Sequence, residues 1–281
     1  MTGTTCQSEE LSVEQLLGNP SDLPVLPQMA AKILEEVRND DSSPRKLAEY
    51  VQKDPVVATA VLRVANSALY GARSEITDLS FAMVRVGLVQ VKNLILALVL
   101  RSQMADPKVY GSSGADLMSH SLAVALAARL IADEVGIDGN ECFLCGLLHD
   151  FGRLALIKSI REAEGLSEPD LPPETIGLID RHHTTAGEIL AKRWGLPSVV
   201  AAAARHHHQP EACTEGARHV WVISLADALA HHLGLGEDAD PSIDIDSHPA
   251  LAELGMSESA LEELKSHIPG LFETTHSAMT T

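Results

Sequence analysis

The sequence predicts an all-α fold, a multi-helix bundle, and three observations lead to this prediction. Ala, Leu and Val dominate the 281 residues while aromatic residues make up only 3%, a composition that favours helices. Apolar residues recur at helical spacing, as in the run from Met29 through Ile33 to Val37. No stretch of the first hundred residues alternates with the period of a strand. With 45% hydrophobic residues, the chain can build a sizeable core.

The N-terminal half is predicted to form a helical subdomain over residues 23–110, preceded by a flexible N-terminus over residues 1–22. Only a helical turn from Leu11 to Leu17 is expected within that N-terminus. Helices in the subdomain begin where a polar N-cap precedes a proline or an apolar run. The predicted starts are Ser43-Pro44, Asp54-Pro55 and Thr77-Asp78; Gly71 stops one helix, and another runs from Val89 to Met104.

A turn-rich break at Asp106-Pro107 and residues 111–114 marks the predicted boundary between two subdomains. The second helical subdomain covers residues 111–235, and a variable tail covers residues 236–281. The predicted helices of this half are Asp116 to Val135, Asn140 to Ile160, Glu174 to Trp194, Leu196 to His206, Ala217 to Leu233 and, after an acidic loop, Ser257 to His267. Both halves of the chain are therefore expected to be helical.

Composition argues against several classes of function. The formal net charge of −18 repels phosphate backbones, so nucleic-acid binding is not expected. No uncharged apolar stretch reaches membrane-spanning length, and the N-terminus lacks the basic and apolar regions of a signal peptide. Cys142 and Cys145 form a lone CxxC in an apolar helical run, where buried, reduced thiols are the favoured interpretation. These features predict a cytoplasmic protein without a nucleic-acid or membrane partner.

An adjacent His149-Asp150 pair in the segment GLLHDFGRL is the strongest indication of chemistry in the chain. His and Asp bind divalent transition metals, and a buried Asp is costly unless it is paired or metal-bound. Neighbours on a regular helix point about 100° apart, so this pair converges only where the helix bends or ends. Gly152 permits such a bend. An ion pair between Asp150 and Arg153 is the simpler alternative.

Further histidines and one carboxylate stand beside apolar residues in separate predicted helices: His120, His183, His207, His208 and Asp227. Each has a simpler explanation when it is taken alone. His120 could bond a backbone carbonyl, the histidine run could cap a turn, and Asp227 could pair with His231 one turn further on. The remaining histidines of these segments are interpreted as bystanders: His182, His206, His219 and His232. The whole set, in this order and spacing, is far more specific than any one member.

The order His, His-Asp, His, His-His, Asp resembles that of the HD superfamily of metal-dependent phosphohydrolases. In the first half, LPVLPQMAAKIL and KDPVVATAVLRVANSALYG resemble the amino-terminal part of the HDOD family, the HD-related output domain. In the second half, FLCGLLHDFGRLAL, HTTAGEILAKRWGLP and ISLADALAHH resemble its carboxy-terminal part. The resemblance covers roughly residues 20–235 and implies an HD-like helical domain behind an N-terminal helical subdomain.

The resemblance also implies a role and a ligand set. The family is bacterial and is viewed as a signalling or regulatory output module. Matched to catalytic relatives, including the HD-GYP cyclic-dinucleotide phosphodiesterases, seven residues fall on metal-ligand positions: His120, His149, Asp150, His183, His207, His208 and Asp227. Asp116 falls where some relatives carry an extra carboxylate. The expected cofactor is one or two divalent ions of iron, manganese or zinc.

Two departures from the catalytic relatives bear on activity. Arg153 stands where those relatives usually carry a lysine after the HD motif, which keeps the charge but not the compact ammonium donor. No GYP motif follows the double histidine in the segment HHHQPEACTEGARH. Hydrolysis of cyclic dinucleotides is therefore not expected.

Two hypotheses follow from these observations. The favoured one is a regulatory module that contacts other signalling proteins and holds a divalent metal, with no catalysis. The alternative is a metal-dependent phosphohydrolase acting on a nucleotide or phosphoester, with His120, His149, Asp150 and Asp227 as core ligands. In that alternative His183, His207 and His208 complete a second metal position, and Arg153 is the phosphate clamp. The substrate, the metal, the partner and the oligomeric state stay open at this point.

Overall fold

A computed structural model describes residues 13–17, 28–37, 43–67, 75–104, 107–110, 113–165, 171–236 and 239–280. Throughout these residues the regular secondary structure is helical, which confirms the predicted all-α fold. The helices are α1 (Val13–Leu17), α2 (Gln28–Val37), α3 (Pro44–Val51), α4 (Pro55–Asn66), α5 (Leu79–Val86), α6 (Leu88–Met104), α7 (Pro107–Tyr110), α8 (Ser113–Val135), α9 (Gly139–Leu148), α10 (Phe151–Glu164), α11 (Pro173–Arg193), α12 (Ser198–His206), α13 (Ala217–His232), α14 (Ala250–Leu254) and α15 (Glu258–Thr280). A 3-10 turn, Pro210–Ala212, follows α12.

Side-chain caps start three helices of the N-terminal half, as their sequences predict. The Ser43 hydroxyl accepts a hydrogen bond from the backbone nitrogen of Lys46 at the start of α3. The Asp54 carboxylate accepts from two backbone nitrogens of α4, and Asp78 does the same for α5. Each cap satisfies donors that have no partner within the helix, so the sequence determines these boundaries locally.

The largest departure from the predicted elements lies at the His-Asp pair. The single helix expected from Asn140 to Ile160 is two helices, because α9 ends at Leu148 and α10 begins at Phe151. Asp150, with φ −103° and ψ 9°, leaves the helical conformation between them. Because of the break, the side chains of His149 and Asp150 converge, and His149 Nε2 lies 3.7 Å from Asp150 Oδ2. Neighbours on an unbroken helix would point about 100° apart.

Other boundaries differ less, and some predictions fall outside the described residues. The short helix α7 occupies part of the predicted break, and α15 continues past His267 through Pro269. Most of the predicted flexible N-terminus, the helix stop at Gly71 and residues 105–106 and 111–112 of the break lie outside the described residues. The predicted subdomain boundaries remain predictions.

Helix α8 is the centre of the bundle and packs against α6, α9, α13 and α15. Its middle is buried on every side from Leu122 to Ala128, as expected of an apolar helix inside a core. Small residues permit this close packing, since a Cβ at Gly146 of α9 would lie 2.8 Å from the Cα of Ala125. The stretch Gly114–Val135 is also long and apolar enough to cross a membrane, and 72% of that window is buried within the protein. A core helix has these properties too, so cellular location remains a prediction.

Candidate metal centre

The seven predicted ligand residues come from five separate parts of the chain and converge on one region. His120 lies on α8, the His149-Asp150 pair links α9 to α10, and His183 lies on α11. His207 and His208 follow the last turn of α12, and Asp227 lies on α13. The helices meet because α10 packs on α11, α11 on α12, and α13 on both α8 and α9. The side chain of His208 is half exposed, while the other six residues are buried.

One group of donor atoms surrounds Asp150 and is called here the Asp150 set: Asp150 Oδ1 with His183, His207 and the neighbouring His208. Asp150 Oδ1 lies 3.3 Å from His183 Nε2 and 3.4 Å from His207 Nε2. The two Nε2 atoms are 3.4 Å apart. Ligands that share an ion at about 2.1 Å are separated by about 3 to 3.5 Å in tetrahedral or octahedral geometry, so this triangle fits one ion. His183, His207 and His208 also bring their own donor atoms within 4.8 Å of one another.

A second group, the Asp227 set, consists of Asp227 Oδ1 with His120, His149 and His231. Asp227 Oδ1 lies 3.0 Å from His120 Nε2, 3.5 Å from His231 Nε2 and 3.7 Å from His149 Nε2. Asp150 Oδ2 lies 3.7 Å from the same His149 nitrogen. The two oxygens of Asp150 therefore face different sets, and this carboxylate stands between them.

Backbone carbonyls orient three imidazoles of the Asp150 and Asp227 sets. His149 Nδ1 donates to the carbonyl of Gly146 at 2.7 Å, and His183 Nδ1 donates to that of Asp180 at 2.8 Å. His207 Nδ1 donates to the carbonyl of Ala203 at 3.1 Å. Because each Nδ1 carries the hydrogen, each Nε2 presents its lone pair to the centre, which is the arrangement that metal-binding histidines adopt.

Three buried polar atoms of the centre have no hydrogen-bond partner among the described residues: the ring nitrogen His120 Nδ1 and the two atoms that face other donors of the sets, His149 Nε2 and Asp150 Oδ1. Buried polar atoms are almost always satisfied, because leaving one unpaired costs about 1–3 kcal/mol. Asp150 Oδ1 faces the imidazoles of His183 and His207, and His149 Nε2 faces Asp227 Oδ1 and Asp150 Oδ2. A divalent ion accepts lone pairs from nitrogen and carboxylate oxygen alike, so the residues present fit one.

The protonation states of the centre suit a metal at every group with a shifted pKa except His207. Burial lowers the pKa of His149 to about 3 and also lowers the pKa of His183. Burial by itself would raise the pKa of Asp150, but the neighbouring His149 and Arg153 outweigh it and hold that pKa well below its usual range. For His207, burial is likewise opposed, and its contacts with Asp150 raise the pKa above the usual value. Neutral imidazoles and ionised carboxylates are the forms that bind metal.

The predicted ion pair between Asp150 and Arg153 is present, and it extends to a third residue. Arg153 Nε donates to Asp150 Oδ2 at 2.8 Å, and a terminal nitrogen of Arg153 donates to Asp180 Oδ1 at 2.5 Å. Asp180 thus holds His183 through its carbonyl and Arg153 through its carboxylate. Sequence reasoning missed Asp180, although a carbonyl three residues before a ligand histidine in a helix is within reach of its Nδ1.

A glycine allows the two ligand-bearing helices α10 and α11 to approach this closely. A Cβ on Gly152 would overlap the carbonyl oxygen of His183, which is backbone and cannot move aside. The sequence expectation for Gly152 was a helix bend, and the structure assigns it this close approach as well. Gly152 therefore places His183 next to Asp150.

The remaining predicted residues stand apart from both sets. Asp116 is exposed on α8, one turn before His120. His219 contacts Glu141 at 3.2 Å, and His232 Nδ1 lies 3.1 Å from the carbonyl of Ile243. His182 and His206 neighbour the ligand residues His183 and His207 without joining the metal-competent groups of the described chain. His231 differs from these bystanders, because it belongs to the Asp227 set and was predicted only as a pairing partner of Asp227.

A cleft of about 450 Å³ opens beside the centre. Its polar wall includes His120, Asp150, Arg153 and His231. Aliphatic side chains such as Ile157 and Ile179 form the opposite wall. The centre is therefore accessible to a small molecule from one side.

Two proteins of known sequence resemble this chain over about three quarters of its length. An uncharacterized protein of Treponema pallidum (strain Nichols) is 29% identical over 227 residues, which are 75% of this chain and 43% of that protein. Ribonuclease Y of Thermus thermophilus is 28% identical over 209 residues, which are 74% of this chain and 29% of that enzyme. The chain thus spans less than half the length of either relative.

Solved structures share the fold. An HDOD domain protein of unknown function from Geobacter sulfurreducens superposes with a TM-score of 0.72 at 23% identity, covering 92% of this chain and 94% of that one. A protein of Shewanella amazonensis named as a candidate phosphohydrolase superposes with a TM-score of 0.69 at 23% identity, covering 95% and 98%. The HDOD domain family itself matches residues 23–210, and the chain belongs to that family.

Proposed function

We propose that this protein is a signalling output module that binds divalent metal in its HD-type centre and acts through contacts with other proteins. The observation that carries the metal site is that each set contains a buried acceptor without a hydrogen-bond partner, Asp150 Oδ1 in one and His149 Nε2 in the other. We place this function in the cytoplasm, where the buried free thiols of Cys142 and Cys145 stay reduced.

The two sets divide the ligands between two ions. His120, His149 and Asp227 would hold one ion, and His183, His207 and His208 would hold the other, with Asp150 between them. Mixed imidazole and carboxylate donors suit iron, manganese or zinc. A bound ion supplies positive charge at the junction of α8, α10, α11, α12 and α13, and the ligands in return link these helices to one another.

The electrostatics of the cleft favour a regulatory role over phosphate chemistry. Among the described residues lining the cleft, Arg153 is the one permanently charged cation. Its guanidinium is already neutralised by Asp150 at 2.8 Å and Asp180 at 2.5 Å. A chain with a net charge of −18 adds no attraction for an anionic substrate. Arg153 is therefore better suited to holding Asp150 in place than to clamping a phosphate.

A surface on α5 supports the protein-contact part of the proposal. Phe81 and Val84, three residues apart and so on one helix face, are 71% and 69% exposed. In the sequence, residues 43–92, which contain this pair, carry seven basic and four acidic side chains, whereas the whole chain has a net charge of −18. An apolar pair within a basic stretch of sequence fits a partner that presents an acidic, amphipathic face. Signalling proteins with such a face are the proposed partners, and nucleic acid and membranes are not.

Metal content tests the proposal directly. The protein is purified without a His-tag or chelator, reconstituted with manganese or zinc, dialysed and assayed by elemental analysis. We expect one to two equivalents in the unaltered protein and a loss of at least one in Asp150→Asn, since both sets need this carboxylate. His206→Gln is the matched control, because His206 adjoins His207 but contributes to neither set. Equal metal in Asp150→Asn and the control would refute the site.

A second function, a metal-dependent phosphohydrolase, has one specific observation in its favour: the cleft reaches Asp150 and His120 from solvent. The relatives named Ribonuclease Y and the Shewanella protein point in the same direction. In such an enzyme the ion supplies Lewis acidity towards phosphoryl oxygens. In that enzyme Asp150 and Asp227 would hold the ions. Arg153 would have to release one of its carboxylate partners, Asp150 or Asp180, in order to bind a phosphate of the substrate.

Turnover decides between the two functions. The metal-loaded protein is assayed against nucleotides, a chromogenic phosphodiester and a short single-stranded RNA, with Asp150→Asn and His206→Gln in parallel. The regulatory proposal predicts no turnover above that of Asp150→Asn. Hydrolysis that disappears in Asp150→Asn and persists in His206→Gln would establish the enzyme instead.

A further inference from the structure

We infer that His231 is a fourth protein ligand in the Asp227 set, which makes that half of the centre a closed metal site. This inference rests on the proposed metal binding and goes beyond it, because the ligand pattern of the sequence does not include His231. It assigns different roles to the two sets, one enclosed by protein and one open to exchange.

Geometry places His231 with the other donors. It lies on α13 one turn after Asp227, so the two side chains emerge on the same face of the helix. His231 Nε2 is 3.5 Å from Asp227 Oδ1, close to the separation expected of two ligands of one ion. Donor atoms of His120, Asp227 and His231 all lie within 4.8 Å of one another. The rings of His120 and His231 are 4.5 Å apart between centroids.

The position of His231 in the cleft shows which side of the ion it covers. The side chain of His149 is completely buried and approaches Asp227 from the interior. The side chain of His231 is 28% exposed and lines the cleft together with His120. An ion bound to Asp227 would have His149 on its inner side and His231 on its solvent side. His231 is thus the ligand that closes the site.

The number of donors determines the consequence. His120, His231 and Asp227 bring their donor atoms within 4.8 Å of one another, and His149, 3.7 Å from Asp227 Oδ1, offers a fourth donor. Zinc sites with four protein ligands are structural, whereas catalytic sites leave a position for water or substrate. The ion of the Asp227 set is therefore expected to be retained firmly. The Asp150 set, with the half-exposed His208, is expected to exchange its ion more readily.

The simpler explanation is that His231 only donates a hydrogen bond to Asp227 and never binds metal. The two explanations differ in what replaces the imidazole. A glutamine keeps a hydrogen-bond donor but is a poor ligand for zinc or cobalt, whereas a cysteine binds both metals as thiolate. Metal retention therefore separates a ligand from a hydrogen-bond donor.

The test compares His231→Gln, His231→Cys and the neighbouring control His232→Gln in the full-length chain. Each is loaded with zinc and titrated with a competing chelator, and cobalt-loaded samples are examined by visible absorption, whose intensity reports four-coordinate cobalt. Circular dichroism of the metal-free variants checks that each is folded. We expect His231→Gln to lose more affinity for one equivalent than the about 10- to 100-fold that is typical when a residue that only hydrogen-bonds a ligand is replaced, and to show weaker cobalt bands. His232→Gln and His231→Cys are expected to retain that equivalent.

The outcomes separate the inference from the function on which it rests. If the unaltered protein binds metal and His231→Gln binds it equally well with the same cobalt spectrum, His231 is no ligand while the metal site stands. If the unaltered protein binds no metal after reconstitution, the metal site and the inference are both overturned. A selective loss in His231→Gln that cysteine restores supports the inference.

Discussion

The helices α3, α4 and α5 and the metal centre between α8 and α13 are built by different rules. In α3–α5 the polar residues stand at helix starts, where Ser43, Asp54 and Asp78 satisfy the first backbone nitrogens. In the centre, polar residues stand inside the core, and contacts between residues remote in sequence join them. His120 and Asp227, in direct contact, are 107 residues apart.

The two regions also differ in how completely their polar groups are paired. A capped, aliphatic region is complete by itself, since its donors and acceptors are matched within a few residues. The centre buries two carboxylates and several imidazoles, yet leaves His149 Nε2 and Asp150 Oδ1 without partners. Burying charge in this way is unfavourable unless something compensates for it. The contrast is what the proposed metal binding would explain.

The largest effect on the comparison is expected from Gly152→Ala. The added methyl group would overlap the His183 carbonyl and force α10 and α11 apart, at a cost of about 1–3 kcal/mol or more in the free energy of unfolding. Denaturant titration measures this cost. Gly177→Ala on α11 is the control, because its nearest neighbour is a flexible arginine atom 3.7 Å away. Equal stability of the two variants would contradict the close approach.

Metal loading is expected to stabilise one region and not the other. An ion at a hundredfold excess over its Kd adds about 2.7 kcal/mol to the free energy of unfolding. Amide hydrogen exchange should slow in α8–α13 and stay unchanged in local openings of α3–α5. Asp150→Asn should show neither change on addition of metal. If metal slowed the exchange that occurs through local opening equally in α3–α5 and in α8–α13, the contrast between the two regions would be wrong.

Acidification should weaken the metal-free protein through the centre. The pKa of His149 is about 3 in the fold and about 6.5 when unfolded, so only the unfolded chain binds its proton between these values. The free energy of unfolding therefore falls as pH drops below about 6.5, by at most about 1.4 kcal/mol per pH unit for this residue. His183 and His208, with lowered pKa values, act in the same direction, and His207 acts in the opposite one.

Chemical denaturation at several pH values between 7 and 4 measures this dependence. For His149→Gln the free energy of unfolding should fall less steeply as pH drops, because the variant lacks the imidazole that binds a proton only in the unfolded chain. Asp54→Ala, in the capped region, should leave the slope unchanged. A His149→Gln variant with the slope of the unaltered protein would show that His149 is not the source.

The smallest effect is expected from the caps. Asp54→Ala and Asp78→Ala each remove acceptors for two backbone nitrogens and should cost about 1 kcal/mol of stability without changing metal content. Thermal or denaturant unfolding and elemental analysis measure the two quantities. Glu49→Ala is the control, because its ion pair with Arg45 is exposed and contributes little. A loss of metal in either cap variant would show that the two regions are coupled.

Much of the fold could be predicted because its causes are local. Helix starts at Ser43, Asp54 and Asp78 follow from a single side chain and the nitrogens next to it. The centre was predictable only as a set of residues, through the order of its histidines and aspartates. The position of the break between Leu148 and Phe151 could not be derived from the sequence, although Gly152 permits a bend, because the apolar residues on both sides of the His-Asp pair continue the helical pattern. In the fold α9 packs on α8 and α10 packs on α11, so the two helices have different partners.

The sequence by itself determined the helical class, the capped helix starts and the identity of the residues that could bind metal, since composition, periodicity and residue order carry that information. Only the tertiary structure decided how they are grouped. It placed one oxygen of Asp150 towards each set, tied Arg153 to Asp180 and brought His120 beside Asp227 and His231. These are distances between segments far apart in the chain, and they depend on helix packing and on the close approach at Gly152. No local pattern encodes them.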